Sequence, residues 1–456
     1  MTAPAPRPNA TAADRLSRFV AIEPGELGAM LWSFAYFFCV LCSYYILRPL
    51  RDEMGVTVGA DGLQWLFVIV FFVMLAVVPL FGWVVATYAR SHVVPIVYGF
   101  FALNLAGFWL LFKVAGTSTL YASAFFVWVS VFNLIVVSLF WSVMSDAWSN
   151  QQAKRLYGFI AAGGSAGAIT GPLLTHSLVS FAGPTNLLLV SAMLLTLGIA
   201  CAVALRRHIS EEKPSAAADN PTGGSLVAGA QRTLQSPYLR KIALWVLLAN
   251  LIGTFFYLEQ ARIIGETISD RTERVQLFAR MDLIVNTLTV LGQLALTAQF
   301  LQRLGVGVSI ATLPLSATIG LIALSFAPSL PVIVAVMIAE RAIAFAIANP
   351  GMRVLYTVVD PEEKYKAQNF IDTVVFRGGD AASGWLINGL ARGLGAPASV
   401  VAVVALPFAL TWLALSLLLG REQSIRAENH LPSSSRERAG GASKRGDPAK
   451  DSSKTP

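Results

Sequence analysis

Charged residues are scarce in this sequence of 456 residues. Asp, Glu, Lys and Arg together make up 13% of the chain, whereas they make up about 25% of an average soluble protein. Hydrophobic residues make up 55% of the chain, and its mean hydropathy is +0.63. This composition excludes an ordinary soluble domain and predicts a protein embedded in a lipid bilayer.

Cysteine and histidine are too few, and too scattered, to predict a metal centre. Cys39 and Cys42 form a C-x-x-C pair in the middle of an apolar run, but no second cysteine pair completes a zinc site. We expect both cysteines to be small apolar packing residues. The sequence also lacks a nucleophile–base pair and a phosphate-binding loop with a following Lys-Ser/Thr. We therefore expect no metal, no cofactor and no enzymatic activity.

Long apolar runs are the dominant feature of the sequence. About 20 apolar residues cross the ~30 Å hydrocarbon core of a bilayer as a helix. Twelve runs meet this requirement and predict an all-α integral membrane protein. The predicted spans cover residues 27–50, 63–87, 93–112, 120–145, 156–181, 185–205, 241–261, 277–301, 307–326, 330–349, 367–391 and 396–419.

The distribution of basic residues predicts the orientation of these spans. The formal net charge is +8, but the excess lies in the tails and in alternate loops, which favours membrane topology over nucleic-acid binding. We expect both termini to be cytoplasmic. The cytoplasmic connections would carry Arg90, Lys154, Arg155, Arg206, Arg207, Arg240, Arg303 and Lys364. A basic segment after the seventh span is the exception, with Arg271, Arg274 and Arg280.

The chain divides into two similar halves. An offset of 211 residues relates Arg48 to Glu259 and Arg51 to Arg262, with aromatic residues preceding each pair. The same offset relates Phe159-Ile160 to Phe370-Ile371. We predict two six-helix bundles, pseudo-symmetric as in the major facilitator fold. The predicted parts are a tail (1–26), the first bundle (27–205), a cytoplasmic linker (206–240), the second bundle (241–420) and a disordered cytoplasmic tail (421–456).

Charged side chains within the spans are the candidate functional residues. Each costs roughly 2.5–3.5 kcal/mol in hydrocarbon, so such residues normally face a partner or a wet cavity. Two arginines three positions apart share one helix face and would grip an anion, with two tyrosines beside them for a planar ring. The candidate substrate-binding residues are Tyr44, Tyr45, Arg48, Arg51, Glu259, Arg262, Glu340, Arg341, Arg377 and Asp380.

Several of these charges also have a structural interpretation. Arg51 would cap a helix at the interface, and Glu259 would form a salt bridge with Arg48 or Arg262. Asp282 we expect to be structural. Pro49 predicts a kink or an interruption of the first helix beside Arg48.

Glycines spaced by four predict a close helix contact in the fifth span. Gly163, Gly167 and Gly171 fall on one helix face, which lets a neighbouring backbone approach closely. Gly378, Gly379 and Gly384 form a comparable set in the eleventh span. In a two-bundle fold, these contacts would have to slide or rock.

The charged motifs resemble those of the ATP/ADP antiporters, the nucleotide carriers of plastids and obligate intracellular bacteria. The resemblance lies in the segment from Tyr45 to Asp52, in Leu258-Glu259, and in the segment from Lys366 to Gly384 with Phe370-Ile371-Asp372. It extends in order from the first to the eleventh helix. It implies a divergent bacterial member of the family, located in the inner membrane.

The resemblance also implies roles for individual residues. Arg51 stands for the functional basic residue of the first helix, and Glu259 stands for the functional acid of the seventh. Val129 or Asn133 occupies the region of the helix-4 acid, and Asp380 stands where the family has a lysine. These differences leave open another phosphorylated or carboxylated substrate.

The sequence therefore predicts a monomeric carrier that moves a small anionic solute by alternating access, with adenine nucleotide exchange as the leading hypothesis. The first alternative is a proton-coupled carrier of another organic anion, with Glu259 or Asp380 as the titrating group. The second alternative is a membrane receptor or partner protein that transports nothing.

Overall fold

The structure is a computed structural model that describes residues 23, 25–208, 226–394 and 397–430. Most of the predicted N-terminal tail, the middle of the linker and the end of the C-terminal tail lie outside these residues. Within the described part of the chain, every regular element is helical. The first six helices are α1 (Glu26–Val58), α2 (Ala60–Thr87), α3 (Arg90–Ala115), α4 (Thr119–Ala147), α5 (Asn150–Ala182) and α6 (Leu187–His208).

The second half begins with a short helix, α7 (Leu226–Gln235), which falls in the predicted linker. Three π-helical turns follow in the described part of the chain, Phe300–Leu304, Ala344–Ala348 and Ile371–Val375. The remaining helices are α8 (Pro237–Thr267), α9 (Arg271–Ala295), α10 (Gly305–Phe326), α11 (Leu330–Ile343), α12 (Asn349–Leu355), α13 (Pro361–Phe370), α14 (Phe376–Leu394) and α15 (Ala398–His430).

Short connections with local capping separate the helices of the first half. Gly59, Gly116 and Gly183 have φ values between 72° and 80°, which glycine adopts without a steric penalty and which reverse the chain directly after a helix. Ser149 forms a capping box with Gln152 at the start of α5. Tight reversals of this kind place consecutive helices side by side as antiparallel neighbours.

Ten helices of the described chain are long and apolar enough to cross a membrane. The other two predicted spans correspond to α5 and to the segment formed by α13, the π-helical turn and α14. Both of these are richer in glycine and polar residues, because they pack against other helices. The predicted fold class, an all-α membrane protein of two six-helix bundles, is confirmed.

The two halves have separate hydrophobic cores. One core is formed almost entirely by residues of α1 to α6, including Tyr36, Phe132 and Phe140. The other is centred on α8 to α15 and includes Trp245 and Trp412, and it also takes in residues of α1, α2 and α4 that face the second half.

The predicted glycine face packs directly on the backbone of α1. A Cβ atom at Gly163 would lie 2.5 Å from the carbonyl oxygen of Phe34, and one at Gly167 would lie 2.5 Å from that of Phe38. At Gly171 it would lie 2.8 Å from Cβ of Tyr45. The prediction of a close contact is therefore confirmed, and it ties α5 to the helix that carries Arg48.

Several details differ from the sequence prediction. α1 remains continuous through Pro49, so the proline does not interrupt the helix. α15 runs ten residues beyond the predicted end of the bundle at Gly420, to His430, so the start of the predicted disordered tail is helical. Glu422 of this extension accepts hydrogen bonds from Lys241 and Arg426, which tie the extension to the start of α8.

Candidate functional site

A cavity of about 550 Å³ lies among α8, α10, α11, α12 and α14 of the second half. It reaches from Glu340 and Arg341, at the middle of the molecule, to Arg353 and Asp372 near the end that carries the described chain termini. The polar residues that line it are Asn250, Thr254, Glu340, Arg341, Asn349, Arg353, Tyr356, Asp372, Arg377 and Asp380. Its volume falls within the range of about 300–1,000 Å³ that is typical of small-molecule sites.

Two π-helical turns shape the walls of the cavity. Pro350 has no N–H group to bond the carbonyl of Ala346, so the regular helical ladder is broken at this point. The hydroxyl of Thr297 donates a hydrogen bond of 2.6 Å to that carbonyl instead. Such turns widen a helix and are frequent at functional sites, and here Asn349 directly follows one of them.

Three charged residues from three helices meet at the inner end of the cavity. Asp282 of α9 is 1% exposed, and its Oδ1 accepts a short hydrogen bond from Nη2 of Arg341 in α11. Nη1 of Arg48, in α1, lies 3.8 Å from the same oxygen. Because α1 belongs to the first half and α9 and α11 to the second, this charge triad joins the two halves.

A second group of charges lies beside the triad. Arg377 and Asp380 of α14 are 3.9 Å apart and both line the cavity. Arg51 of α1 lies close enough to interact electrostatically with both residues. The Arg51 guanidinium stacks 4.0 Å from the ring centroid of Phe126 and is 3.4 Å from Asp52. The first half therefore contributes a second arginine close to the cavity.

The outer rim of the cavity carries one more ion pair. Arg353 and Asp372 are 2.7 Å apart, and their side chains are 58% and 44% exposed. Glu340, in contrast, lines the cavity wall and forms neither a hydrogen bond nor an ion pair within the described residues. It is therefore the acid in this wall that is most free to interact with a solute or a proton.

The structure brings most of the predicted site residues together. Arg48 and Arg51 face the second half, and Glu340, Arg341, Arg377 and Asp380 line the cavity. Tyr44 and Tyr45 contact each other with ring centroids 5.2 Å apart, and the Arg48 guanidinium lies 5.8 Å from the Tyr45 ring. Tyr45 also packs against Gly171, so it supports the position of α1.

Glu259 and Arg262 lie apart from this group. The cavity lining of α8 ends at Thr254, whereas Glu259 forms a salt bridge of 2.7 Å with Arg262, three residues further along the same helix. Arg262 also pairs with Glu266 at 3.1 Å. Of the two salt bridges considered for Glu259, the one with Arg262 forms. Neither residue lines this cavity, and their role in substrate binding stays a prediction.

Sequence reasoning missed the role of Asp282 and of the acids that follow Arg51. Asp52 accepts a hydrogen bond of 3.0 Å from Tyr257 of α8, and Glu53 pairs with Arg271 of α9 at 2.8 Å. Both acids are buried. The signal that could have identified Asp282 is an acid that lies within a predicted span, followed by a long stretch without charge.

Contacts between the halves concentrate at the end of the molecule remote from the described termini. Besides the Glu53–Arg271 pair, Asn388 of α14 donates hydrogen bonds to Gln64 and to the carbonyl of Ala60 in α2. The Trp65 and Trp385 rings of the same two helices lie 4.8 Å apart. The bundles therefore hold together at this end, while the cavity extends toward the other end.

The comparison with known families decides the class of the protein. The sequence profile of the Major Facilitator Superfamily matches residues 30–384. The chain belongs to the Major Facilitator Superfamily. It is a multi-pass membrane transporter of the major facilitator type, in which small solutes cross between two helical bundles. No curated protein matches the sequence significantly.

Solved structures of major facilitator transporters share the fold. A D323A mutant of the nucleoside transporter NupG has a TM-score of 0.63 and 15% identity, covering 86% of this chain and 99% of that one. A bacterial homologue of the iron transporter ferroportin, in an inward-facing state, has a TM-score of 0.62 and 12% identity over 88% and 100% of the chains. A bacterial homologue of the human lysosomal transporter Spinster, inward-facing and unoccupied, gives 0.57 and 14% over 89% and 99%. At these identities, the likeness concerns the fold alone.

Proposed function

We propose that this transporter moves a small organic anion through the cavity of the second half, and that exchange of nucleotides of the ATP/ADP type is the specific activity. The observation that supports this most strongly is the set of three arginines, Arg341, Arg353 and Arg377, in the wall of a single cavity. Arginine stays charged at every working pH, and its planar fork binds phosphate or carboxylate in a bidentate manner.

The neighbouring side chains fit an anion that carries a planar ring. Trp245, Phe345, Tyr356 and Phe376 line the same cavity as the arginines. Aromatic faces offer a stacking surface to a base, while the arginines take the charged group. The resemblance to nucleotide antiporters points to the same class of substrate.

The acids in the wall set the conditions for binding. Glu340, Asp372 and Asp380 balance the charge of the three arginines, and two of these acids already form pairs with them. An incoming anion must therefore displace carboxylates from arginines, and the freed carboxylates must find new partners. Exchange of ion-pair partners of this kind is a common way to bias two conformations.

The concentration of interbundle contacts at one end supports alternating access. We propose that both termini are cytoplasmic, that the protein lies in a bacterial inner membrane, and that it acts as a monomer. In that orientation, the cavity extends toward the cytoplasm and the structure represents an inward-facing state. Separation of the pairs Glu53–Arg271 and Asp52–Tyr257 would then open the opposite end.

Exchange in proteoliposomes tests this proposal directly. Labelled ATP or ADP should accumulate only when unlabelled counter-substrate is loaded inside, and Arg377→Gln should reduce the rate strongly. Arg262→Gln is the matched control, because Arg262 pairs with Glu259 beyond the cavity lining and should leave most of the rate intact. Absence of exchange with every nucleotide tested, by protein that is folded, would contradict nucleotide transport.

Proton-coupled transport of another organic anion is a second candidate, and the position of Glu340 favours it. This carboxylate lines the cavity without an ion pair among the described residues, so it is available to bind a proton. Uptake driven by a lower pH outside the proteoliposomes than inside should disappear in Glu340→Gln and persist in Glu259→Gln. Uptake that does not respond to a pH gradient in the unmodified protein would exclude this mechanism.

A further inference from the structure

Asp282 is a carboxylate that two arginines from different halves share. Its side chain is 1% exposed, Arg341 approaches it closely from within the second half, and Arg48 lies 3.8 Å away from within the first. The second oxygen of the carboxylate, Oδ2, has no hydrogen-bond partner among the described residues. The buried Nε of Arg341 is also without a partner there.

These unpartnered atoms indicate that the triad is only partly satisfied. A carboxylate can accept about four hydrogen bonds, and a guanidinium offers five N–H donors. Buried polar atoms are usually satisfied, and those left without partners call for an explanation. A solute anion with several oxygens could accept hydrogen bonds from both arginines at once. The short side chain of Asp282, which is fixed to α9, does not do so.

We infer that Asp282 is a tethered competitor for the anion-binding site between Arg48 and Arg341. In the solute-free state its carboxylate occupies this site, and the phosphate or carboxylate group of the solute replaces it on binding. This inference rests on the proposed anion transport, which it deepens by naming the pair of arginines that holds the charged group.

The arrangement also explains how binding is transmitted between the bundles. Arg48 is carried by α1, which packs on the rigid glycine face of α5, whereas Asp282 and Arg341 are carried by α9 and α11. The Arg48–Asp282 contact is the longer of the two, so it is the first link expected to break. A solute anion that spans both arginines then connects the halves in place of Asp282.

A matched control exists in the same cavity. Arg353 and Asp372 form an ion pair of the same chemical type, but both residues belong to the second half and are exposed at the rim. Removal of the charge of Asp372 leaves one exposed arginine. Removal of the charge of Asp282 leaves the buried Arg341 and the half-buried Arg48 close together without an anion, and their mutual repulsion should favour any free anion that can enter.

Thermal unfolding of the purified protein, titrated with inorganic phosphate, tests the inference. Asp282→Asn should unfold at a temperature at least about 4 °C below the unmodified protein without phosphate, because a buried charge pair is broken. Phosphate should restore its stability at a concentration at least about tenfold below the one that affects the unmodified protein. Asp372→Asn should show a weaker phosphate response than Asp282→Asn, because it frees a single, exposed arginine, and sodium chloride at equal ionic strength should not replace phosphate.

The variant Asp282→Asn/Arg48→Gln identifies the position of the bound phosphate. Loss of Arg48 should raise the phosphate concentration required by at least about tenfold, because half of the site is gone. Equal phosphate responses of Asp282→Asn and Asp372→Asn would overturn the inference. So would an Asp282→Asn protein that stays unfolded at every phosphate concentration, since a free anion then cannot take the place of Asp282.

The result of the phosphate titration can be distinguished from the result of the exchange experiment that tests the proposed function. If no nucleotide or other organic anion is exchanged, but Asp282→Asn shows the expected phosphate response, the proposed transport is wrong and the anion site stands. If exchange occurs and the phosphate response is absent, the transport proposal stands and the competitor role of Asp282 is wrong.

Discussion

The two halves of this transporter share an architecture but use it differently. In the first half, α1 to α6 are continuous helices around an aromatic core, and the glycines of α5 hold its backbone against that of α1. In the second half, two π-helical turns open a cavity lined by three arginines and three acids. The comparison indicates that the first half provides a rigid support that presents Arg48 and Arg51, whereas the second half provides most of the recognition surface.

The core of the first half illustrates this rigidity. The Phe37 and Phe140 rings stack with centroids 4.0 Å apart. The hydroxyl of Tyr36 donates to that of Tyr98, which donates to the carbonyl of Val136, so the polar atoms of both buried tyrosines are satisfied within the half. These two tyrosines therefore need no solute as a partner, and the charged residues of the described first half that lie beside the cavity, Arg48 and Arg51, both belong to α1.

The largest effect on transport is expected when corresponding positions of the two halves are substituted and compared. The repeat offset of 211 relates Arg341 to Ser130, whose hydroxyl donates only to the carbonyl of Phe126 in its own helix. Arg341→Gln should reduce transport at least about 100-fold, because it removes a guanidinium from the cavity and leaves Asp282 with the distant Arg48. Initial rates in proteoliposomes measure this effect.

Ser130→Ala serves as the control and should change the rate less than about twofold. Similar losses in the two variants would show that both halves contribute equally to recognition, which contradicts the division of roles.

The second effect tests the rigidity of the first half. Gly167→Ala should lower the free energy of unfolding by about 2 kcal/mol, because the added Cβ would meet the backbone of α1 at Phe38 and Cys42. Gly158→Ala in the same helix has open space at its Cβ position and should raise the free energy of unfolding by up to about 1 kcal/mol, because alanine favours the helix. Thermal unfolding of both variants in detergent gives the comparison, and equal stability would argue against backbone packing as the source of rigidity.

A third, smaller effect concerns the contacts that close the end remote from the termini. Glu53→Gln should shift the equilibrium between the two access states about tenfold toward opening at this end, because Glu53 is buried and pairs with Arg271 of the other half. The shift should remain moderate, since Arg271 keeps a hydrogen bond of 2.6 Å to Thr117. Labelling of a cysteine introduced near this end measures it.

The matched variant for this end is Glu266→Gln. Glu266 pairs with Arg262 within α8, so its loss should leave the labelling rate unchanged. Equal labelling of the two variants would mean that the Glu53–Arg271 pair does not hold this end closed.

The smallest effect on stability is expected from the ion pair that joins α7, in the predicted linker, to α13 of the second half. Arg232 of α7 pairs with Glu363 of α13 at 3.0 Å, but both side chains are well exposed. Arg232→Ala should change the free energy of unfolding by less than about 1 kcal/mol, because exposed ion pairs contribute little. A larger loss of stability or of transport would show that α7 supports the π-helical turn that follows α13.

The architecture could be predicted from the sequence, because the length of the apolar runs and the distribution of charge are local properties. It was also sufficient for the glycine face of α5, because a spacing of four residues fixes the face of a helix. It was insufficient for the π-helical turns, since the one at Ala344–Ala348 depends on Thr297, which bonds the carbonyl that Pro350 leaves free.

The partners of the charged residues depended on tertiary packing in the same way. Arg48 and Asp282 are brought together only by the packing of α1 against α9, so the partner of Asp282 could not be predicted from its position in the sequence. Glu259 was expected near the cavity because it corresponds to Arg48 in the repeat. A local partner three residues away, Arg262, takes up its charge instead.

Access to the cavity from the two sides of the membrane is the most direct test of the account. Cys39, Cys42 and Cys201 are buried and would be replaced by alanine, and a single cysteine would be placed at Asn349, which lines the cavity. A membrane-impermeant maleimide should label it from the side of the termini, and from the opposite side once Glu53→Gln is added. Labelling from neither side in either variant would contradict a solute pathway through this cavity.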